Sequence, residues 1–424
     1  MPFFPCAHAG HSQWQHATRQ VVVQLQAQIG MQQLHHAPSL GLVYLSQAYA
    51  SSASAIFSML VEALPEVRHW VGCAATSVLG GDLDYGESGA LAVLLPCLDS
   101  SDYQVFSEGA VLAPDFSALQ PHLVLVHGDA RQPGADTQLA ALQAALTEGQ
   151  VVGGLSALAH GPAQVVCSPD LRQHMPASMG GTGVQRSGIS GVALGAGVQM
   201  LAISMQGCKP LSSSLTATQV DGNCLLELDG QPAMDVLLDH LAQHPSTTAL
   251  SPQSQFIWSK VQQTLLALSP QAMPTDGKCI EPQSRAQPIA SLDPLRRGIV
   301  LNTSLQQGYT VTLCQSDEQA ARAEIRRACA EISEALVPEI ACTIDADQPV
   351  QAHGFCISGA IYVRSQHRQA VPPSVQLDAE LQLIRHALGP IPLLGFTSAC
   401  EVDGGALQHL SAQLIVFIQP LQPL

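Results

Sequence analysis

Lysine is almost missing from this chain. Only Lys209, Lys260 and Lys278 occur, and the 17 basic residues face 33 acidic ones for a formal net charge of −16. No basic cluster exceeds Arg296-Arg297 or Arg326-Arg327, so neither nucleic acid nor an anionic membrane is expected as a partner. Charge of either sign is sparse at 12%, against 46% hydrophobic residues. That balance excludes a disordered chain, and the length allows about two or three domains with substantial cores. No apolar run approaches the ~18–20 residues needed to cross a bilayer, so no membrane insertion is expected. Met1–Trp14 has no basic segment followed by an apolar core, so no signal peptide is expected either. The twelve cysteines include no CxxC pair, and most lie inside apolar runs. They read as reduced packing thiols in a cytoplasmic protein.

Several familiar sites are missing as well. There is no GxxxxGK[ST] phosphate loop, and Gly180-Gly181-Thr182-Gly183 does not fit dinucleotide spacing. There is no GxSxG elbow, since Gly154-Leu155-Ser156 lacks the second glycine. Neither HExxH nor paired Cys/His ligand spacing occurs.

What is present is a repeated order of elements. Ser12 and Gln15 suggest a capping box for a first helix with Trp14, Val21, Val22, Leu25 and Ile29 on one face and Gly30 at its end. Then strand Leu42–Leu45, helix Ser54–Leu64, the turn Val71-Gly72-Cys73, an acidic loop containing Asp82 and Asp84, and strand Ala90–Leu95 follow. Strand Leu123–His127, helix Thr137–Leu146 and Val152-Gly153-Gly154 repeat that order, with strands at Gly188–Leu194 and Val198–Ser204. Strand Phe355–Val363, helix Asp378–Leu388, Leu394-Gly395-Phe396 and strand Leu414–Ile418 repeat it again. The fold class predicted is α/β: repeated β-α-turn-β units forming two mixed-sheet domains.

The centre carries a hairpin signal, Leu215–Val220 and Cys224–Leu228 around Asp221-Gly222-Asn223. A helix follows, with Asp229 as its expected cap and Met234, Leu237, Leu238 and Leu241 on one face. The stretch His244–Leu295 is rich in Gln, Ser and Pro and is expected to be a linker holding one short helix, Phe256–Leu268. Asp317–Leu336 reads as a long helix capped at Ser316 or Asp317. The expected organisation is a helical segment 1–37, a domain 38–243, a linker 244–295 and a domain 296–424.

Small polar residues gather beside the three glycine turns: Cys73, Thr76 and Ser77 after Gly72, Ser156 after Gly153 and Gly154, and Thr397, Ser398, Cys400 and Glu401 after Gly395. Bare N–H groups, hydroxyls and one acid suit a small polar molecule with both amine and carboxylate. His127, at a strand end, joins them, because strand ends in open α/β sheets face ligand crevices. Simple turn chemistry is the alternative for the glycines, and a structural histidine is the alternative for His127. His8, His11, His16, His35 and His36 offer imidazoles to haem or a metal, against an exposed polar segment as the plainer reading. A cysteine-dependent hydrolase or transferase using Cys73 or Cys400 needs a histidine that only folding can bring.

The run Gln206–Leu238, with QGCKP and ELDGQPAMDVL, resembles the closing signature of the FIST N-terminal domain. Val71-Gly72-Cys73-Ala74-Ala75 and Val152-Gly153-Gly154-Leu155 resemble its glycine motifs. Gly354–Ala360 and Pro392–Phe396 with Glu401 resemble the FIST C-terminal domain. The resemblance, from about Pro38 to Ile418, implies a non-enzymatic cytoplasmic sensory protein that binds a small ligand such as an amino acid and acts on a separate signalling partner. It also implies haem as an alternative ligand, since some members bind it. The chain departs from the family pattern at Ala75-Thr76-Ser77, Lys209, Ala360-Ile361 and Cys400, so the resemblance implies the fold and not the ligand.

Overall fold

The computed structural model describes residues 3–32, 37–107, 119–159, 161, 163–169, 183–243, 260–261, 263–270, 284–337, 355–368 and 371–420. The chain divides into two compact bodies. The larger holds Met1–Ser204, Ile325–Leu407 and Ala412–Leu424; the smaller holds Met205–Glu324 and Gln408–Ser411.

In chain order the first half supplies β1 (Cys6–Gly10), α1 (Trp14–Met31), β2 (Leu40–Ser46), α2 (Ala53–Ala63), β3 (His69–Ala75), β4 (Ser77–Gly80), β5 (Leu83–Asp84), β6 (Ala90–Leu94) and β7 (Tyr103–Ser107). It continues with β8 (Leu123–Asp129), α3 (Ala135–Ala144), β9 (Gln150–Ser156), β10 (Gln164–Cys167), β11 (Val184–Gln185), β12 (Ser190–Leu194) and β13 (Met200–Gln206). Next come β14 (Cys208–Pro210), β15 (Leu215–Asp221), β16 (Cys224–Leu228), β17 (Gln231–Pro232), α4 (Ala233–Gln243), β18 (Thr264–Ser269), β19 (Arg285–Asp293), β20 (Gly298–Leu301), β21 (Thr310–Ser316) and α5 (Glu318–Ala335). The last are β22 (Phe355–Ser365), β23 (Gln376–Leu377), α6 (Ala379–Leu388), β24 (Leu393–Ser398), β25 (Cys400–Asp403), β26 (Ala406–Gln408) and β27 (Ser411–Pro420).

The larger body contains the same sheet three times. The strand orders are β1-β6-β2-β3-β10-β11, then β7-β12-β8-β9-β25-β26, then β13-β27-β22-β24-β4-β5 with β23 added at the end. In each, a parallel pair joined through a helix sits in the middle: β2 with β3, β8 with β9, β22 with β24. The strand that follows each parallel pair leaves for another sheet. β4 pairs with β24, β25 with β9, and β10 with β3, all antiparallel. The exchange runs in a closed cycle through the three repeats, so no repeat completes its own sheet. The α/β class built from repeated β-α-β segments and mixed sheets therefore holds, and all three repeats join in one body. The sequence segments 38–243 and 296–424 are cut differently by the fold, because β24 and β25 hydrogen-bond to strands that lie more than two hundred residues earlier.

Gly72, Gly153 and Gly395 are not turns; each lies in the middle of a strand of its parallel pair. In register they face Val43, Val126 and Tyr362. A Cβ on these glycines would lie 1.8, 2.2 and 1.8 Å from the carbonyl oxygens of those partners. Gly72 and Gly153 also adopt φ of +156° and +135°, which side-chain-bearing residues avoid. Glycine here permits close backbone approach, the usual meaning of a glycine inside a strand.

In the smaller body the expected linker supplies strands. β21, β15, β16, β20, β19 and β18 pair in that order, and β18 pairs back to β21, closing an antiparallel barrel. Closure leaves no open sheet edge around the ring. Leu225, Leu266, Ile299, Val311 and Leu313 fill it. The expected helix Phe256–Leu268 is replaced over its described end by β18. Its apolar run TLLAL suits a strand buried on both faces, which helical periodicity cannot distinguish; Phe256 lies outside the described residues, as do His35, His36 and Gly180–Thr182. The Asp221-Gly222-Asn223 hairpin forms as expected. Asp229, expected as a helix cap, instead accepts from the Thr216 N–H at 2.8 Å. The first-helix capping box is also absent: Gln13 is the N-cap and makes no side-chain capping bond. β1, ahead of that helix, was not expected.

Candidate functional site

The three sheets turn one face toward a common core, and side chains alternate along each strand. At one level, Leu42, Val71, Leu125, Val152, Ile361 and Leu394 make the core fully apolar. At the next level, one ring from each repeat meets: Tyr44 lies 5.5 Å from His127 and 4.6 Å from Phe396, and His127 lies 5.8 Å from Phe396, centroid to centroid. Cys73 shares this level, with Gly154, where a Cβ would meet Ser398, Phe396 and Val363 at 2.8–3.0 Å. At the last level, toward the carboxyl ends of the parallel strands, the same alternation places Ser46, Ala75, Asp129, Ser156, Ser365 and Ser398. The core therefore runs from hydrocarbon to hydroxyl and carboxylate along the strand direction. Carboxyl ends of parallel strands are where α/β sheets hold ligands.

Burial sets the chemistry of these groups. His127 is wholly buried, its Nε2 is 3.3 Å from the Tyr44 hydroxyl, and its Nδ1 has no hydrogen-bond partner. Desolvation lowers its pKa to about 3, so the ring is neutral. Burial raises the Cys73 thiol pKa, against a smaller lowering by the neighbouring Ser156 hydroxyl. Cys400 is raised to about 12 by burial and by the charges of Glu401 and Asp129. Neither sulfur is a thiolate at neutral pH, so the residues considered as nucleophiles lack the activation that cysteine chemistry needs. Ser398 donates to Glu401 Oε1 at 2.6 Å, and both are fully buried.

On the helix-covered face of the third sheet the symmetry breaks. Where the first two repeats have Val43, Leu45, Val126 and Gly128, the third has Tyr362 and Arg364. Arg364 is wholly buried and bonds Asp84 and Asp378, with Glu380 Oε2 at 3.6 Å. Arg368 Nε donates to Glu380 Oε1 at 2.8 Å, and the Tyr362 hydroxyl donates to Glu380 Oε2 at 2.8 Å. Burial opposes the charge on Arg364, but Asp378, Asp84 and Glu380 outweigh it and raise its pKa. Burial likewise opposes the Glu380 carboxylate, and Arg368 and Arg364 reverse that and lower its pKa. Asp378 also caps α6, accepting from the N–H groups of Glu380 and Leu381. Ser77 donates to Asp84.

Next to these groups is a cleft of about 510 Å³ lined by Gln47, Ala48, Ser51, Thr76, Glu87 and Val371. Gln47 to Ser51 belong to the connection from β2 to α2, Thr76 follows β3, and Val371 belongs to the connection from β22 to α6. The cleft thus stands at the carboxyl ends of two repeats.

The residues anticipated from sequence divide four ways. Cys73, His127, Gly154, Ser156, Ser398 and Glu401 come together at the inner polar levels. Gly72, Gly153 and Gly395 are scaffold. Ser77 joins the buried ionic cluster, and Thr397 lies on the outer face with its hydroxyl oxygen buried and unpartnered. Tyr44, Asp129, Gln47, Glu87 and the Arg364 cluster were not anticipated. An arginine inside the apolar run Gly359–Ser365, in a chain so poor in bases, was the available signal.

Of the histidines considered for haem or a metal, His35 and His36 lie outside the described residues. His8 Nδ1 is hydrogen-bonded with the Tyr85 hydroxyl at 2.8 Å, and its ring abuts Gly80 and Gly81. His11 and His16 are exposed and face each other at 5.0 Å. Among the described residues no group of three or more His, Cys, Asp or Glu side chains is placed to hold a metal, and no described helix is long and apolar enough to cross a membrane. The described cysteines are thiols, all buried except Cys6.

Residues 39–231 match the FIST N domain and residues 233–402 the FIST C domain. The chain belongs to the FIST family. FIST domains are linked to sensing and signal transduction. Two relatives, from Mycobacterium bovis (strain ATCC BAA-935 / AF2122/97) and Mycobacterium tuberculosis (strain CDC 1551 / Oshkosh), are each 23% identical to it. The alignments cover 95% of this chain and 97% of each relative, and both are described as uncharacterized proteins. The two FIST matches meet near Pro232, inside the smaller body, so the family's domain division and the compact bodies of the fold do not coincide.

Proposed function

We propose that this FIST protein is a cytoplasmic, non-enzymatic sensor. It binds a small polar metabolite at the carboxyl ends of the parallel strands and signals through a separate protein partner. The observation that carries this is the change of the shared core from hydrocarbon to Ser46, Asp129, Ser156, Ser365 and Ser398 as the strands approach the cleft bordered by Thr76. Hydroxyls and a carboxylate at the end of a packed core suit hydrogen bonding to a ligand. The high thiol pKa values of Cys73 and Cys400 favour a binding role over covalent chemistry.

The test is thermal unfolding with a panel of amino acids, amines, organic acids and sugars, together with mass spectrometry of small molecules that co-purify. A ligand at a hundredfold excess over Kd adds about 2.7 kcal/mol of stability. If no member stabilises the protein at saturating concentration and nothing co-purifies, the sensor reading fails.

A further inference from the structure

The ligand-binding reading above leaves open what the cleft selects, and the charges around it narrow the class. Every polar group that lines it offers an acceptor: the Glu87 carboxylate, the Gln47 amide oxygen and the hydroxyls of Ser51 and Thr76. Glu87 is exposed and makes no ion pair among the described residues. No described lysine, arginine or histidine lines the cleft.

The guanidiniums of the ionic cluster, Arg364 and Arg368, are buried and committed to carboxylates. Ser77, next to Thr76, donates to Asp84, and the Gly86 N–H, next to Glu87, donates to Asp84 Oδ1 at 2.8 Å. Asp84 in turn holds Arg364. Arg364 is shared with Asp378 and Glu380, and Arg368 is held by Glu380. Glu401 adds a further carboxyl group close enough to act on Arg368. Two guanidiniums therefore stand against four carboxyl groups, all in the interior, while the cleft's own charge is Glu87. Neither arginine is available to an incoming carboxylate or phosphate.

We infer that the cleft takes a cationic amine, with the ammonium group on Glu87, its two remaining N–H groups turned to acceptors among Gln47, Ser51 and Thr76, and the carbon chain along Ala48 and Val371. An ammonium has three donors and no acceptor, and the cleft offers it one carboxylate together with three neutral groups that can also accept. Among the described residues the charged side chain lining the cleft is Glu87, which repels an anion. This inference rests on the ligand-binding reading and replaces the amino acid, which brings a carboxylate, with an amine that does not.

The experiment is titration calorimetry of the full chain with putrescine, with succinate and with glycerol, repeated on Glu87→Gln. The expected result is binding of putrescine alone, weakened roughly tenfold in the variant because a charge-assisted bond is lost. Raising the salt concentration weakens it further, as for any partly exposed ion pair. Binding of succinate or glycerol without putrescine overturns the amine and leaves the sensor reading standing. Putrescine binding that Glu87→Gln leaves unchanged overturns the cleft assignment. No binding of any of the three, with no stabilisation by the wider panel, overturns both readings.

Discussion

Arg364 and Asp84, 280 residues apart in sequence, form an ion pair with no solvent exposure on either side chain. Asp84 comes from the short β5 that β4 carries into the third sheet, so the pair exists only because β4 is exchanged. Replacing Arg364 by methionine leaves Asp84, Asp378 and Glu380 buried without their shared cation. The expected loss is about 3–5 kcal/mol, read by urea denaturation. Arg322→Ala, which removes an exposed pair with Glu318, is expected to cost no more than about 0.5 kcal/mol. Equal losses in the two variants would contradict the interior role assigned to Arg364.

The strand glycines give a second prediction. Gly72→Ala and Gly153→Ala each place a methyl group against a neighbouring carbonyl oxygen and force an unfavourable φ. Each is expected to destabilise by more than about 3 kcal/mol or to prevent soluble folding, which thermal denaturation followed by circular dichroism reads out. Gly30→Ala, with nothing within 4 Å of the new carbon, is expected to stay within about 1 kcal/mol of the parent. A mild effect at Gly72 is the outcome that would rule out the close approach of β2 and β3.

His127 predicts a pH dependence with a definite sign. Its folded-state pKa of about 3 lies below the unfolded value of about 6.5. Between these values the unfolded chain holds one more proton, so stability rises with pH. This contribution is complete above pH ~6.5 and is lost as pH falls toward 3, at about 1.4 kcal/mol per pH unit. His127→Phe is expected to lower stability at pH 8 by roughly 1–2 kcal/mol, because the Tyr44 hydroxyl loses its partner. It should also flatten the slope between pH 6 and pH 4 by the stated amount. An unchanged slope in chemical denaturation across that range counts against a neutral, buried imidazole.

Thiol labelling tests the cysteines. With their pKa values raised by burial, Cys73 and Cys400 are expected to react with iodoacetamide at pH 7.5 far more slowly in the folded protein than in urea. Peptide mass spectrometry after timed quenching measures both. Fast, stoichiometric labelling of either one in the native state would revive a cysteine-dependent activity.

The sequence carried much of this fold because its information is local. A strand, a helix with apolar residues at three- and four-residue spacing, and a second strand can be recognised one after another. That is how the three parallel repeats, the Asp221-Gly222-Asn223 hairpin and α5 with its Asp317 cap, which accepts from the Ala320 N–H at 2.8 Å, were legible. The segment 244–295 misled because Gln, Ser and Pro mark loops on average, whereas the barrel strands β18 and β19 are fixed by partners elsewhere in the chain.

The exchange of strands was hidden for the same reason. Nothing near Ser77–Gly80 specifies that β4 belongs beside β24, and nothing near Cys400–Asp403 specifies β9. Those pairings follow from closing three sheets on one core. What the sequence alone determined was the order of strand, helix and strand in the three repeats and the presence of polar residues after each glycine. Only the tertiary structure decided that the glycines are contact points between backbones, and that Ser156 and Ser398 from different repeats share one polar level, with Glu401 bonded to Ser398. It also decided that Arg364 is neutralised inside the protein instead of facing a ligand. Backbone propensity acts over a few residues, while burial and charge pairing are settled by whichever distant strand fills the space.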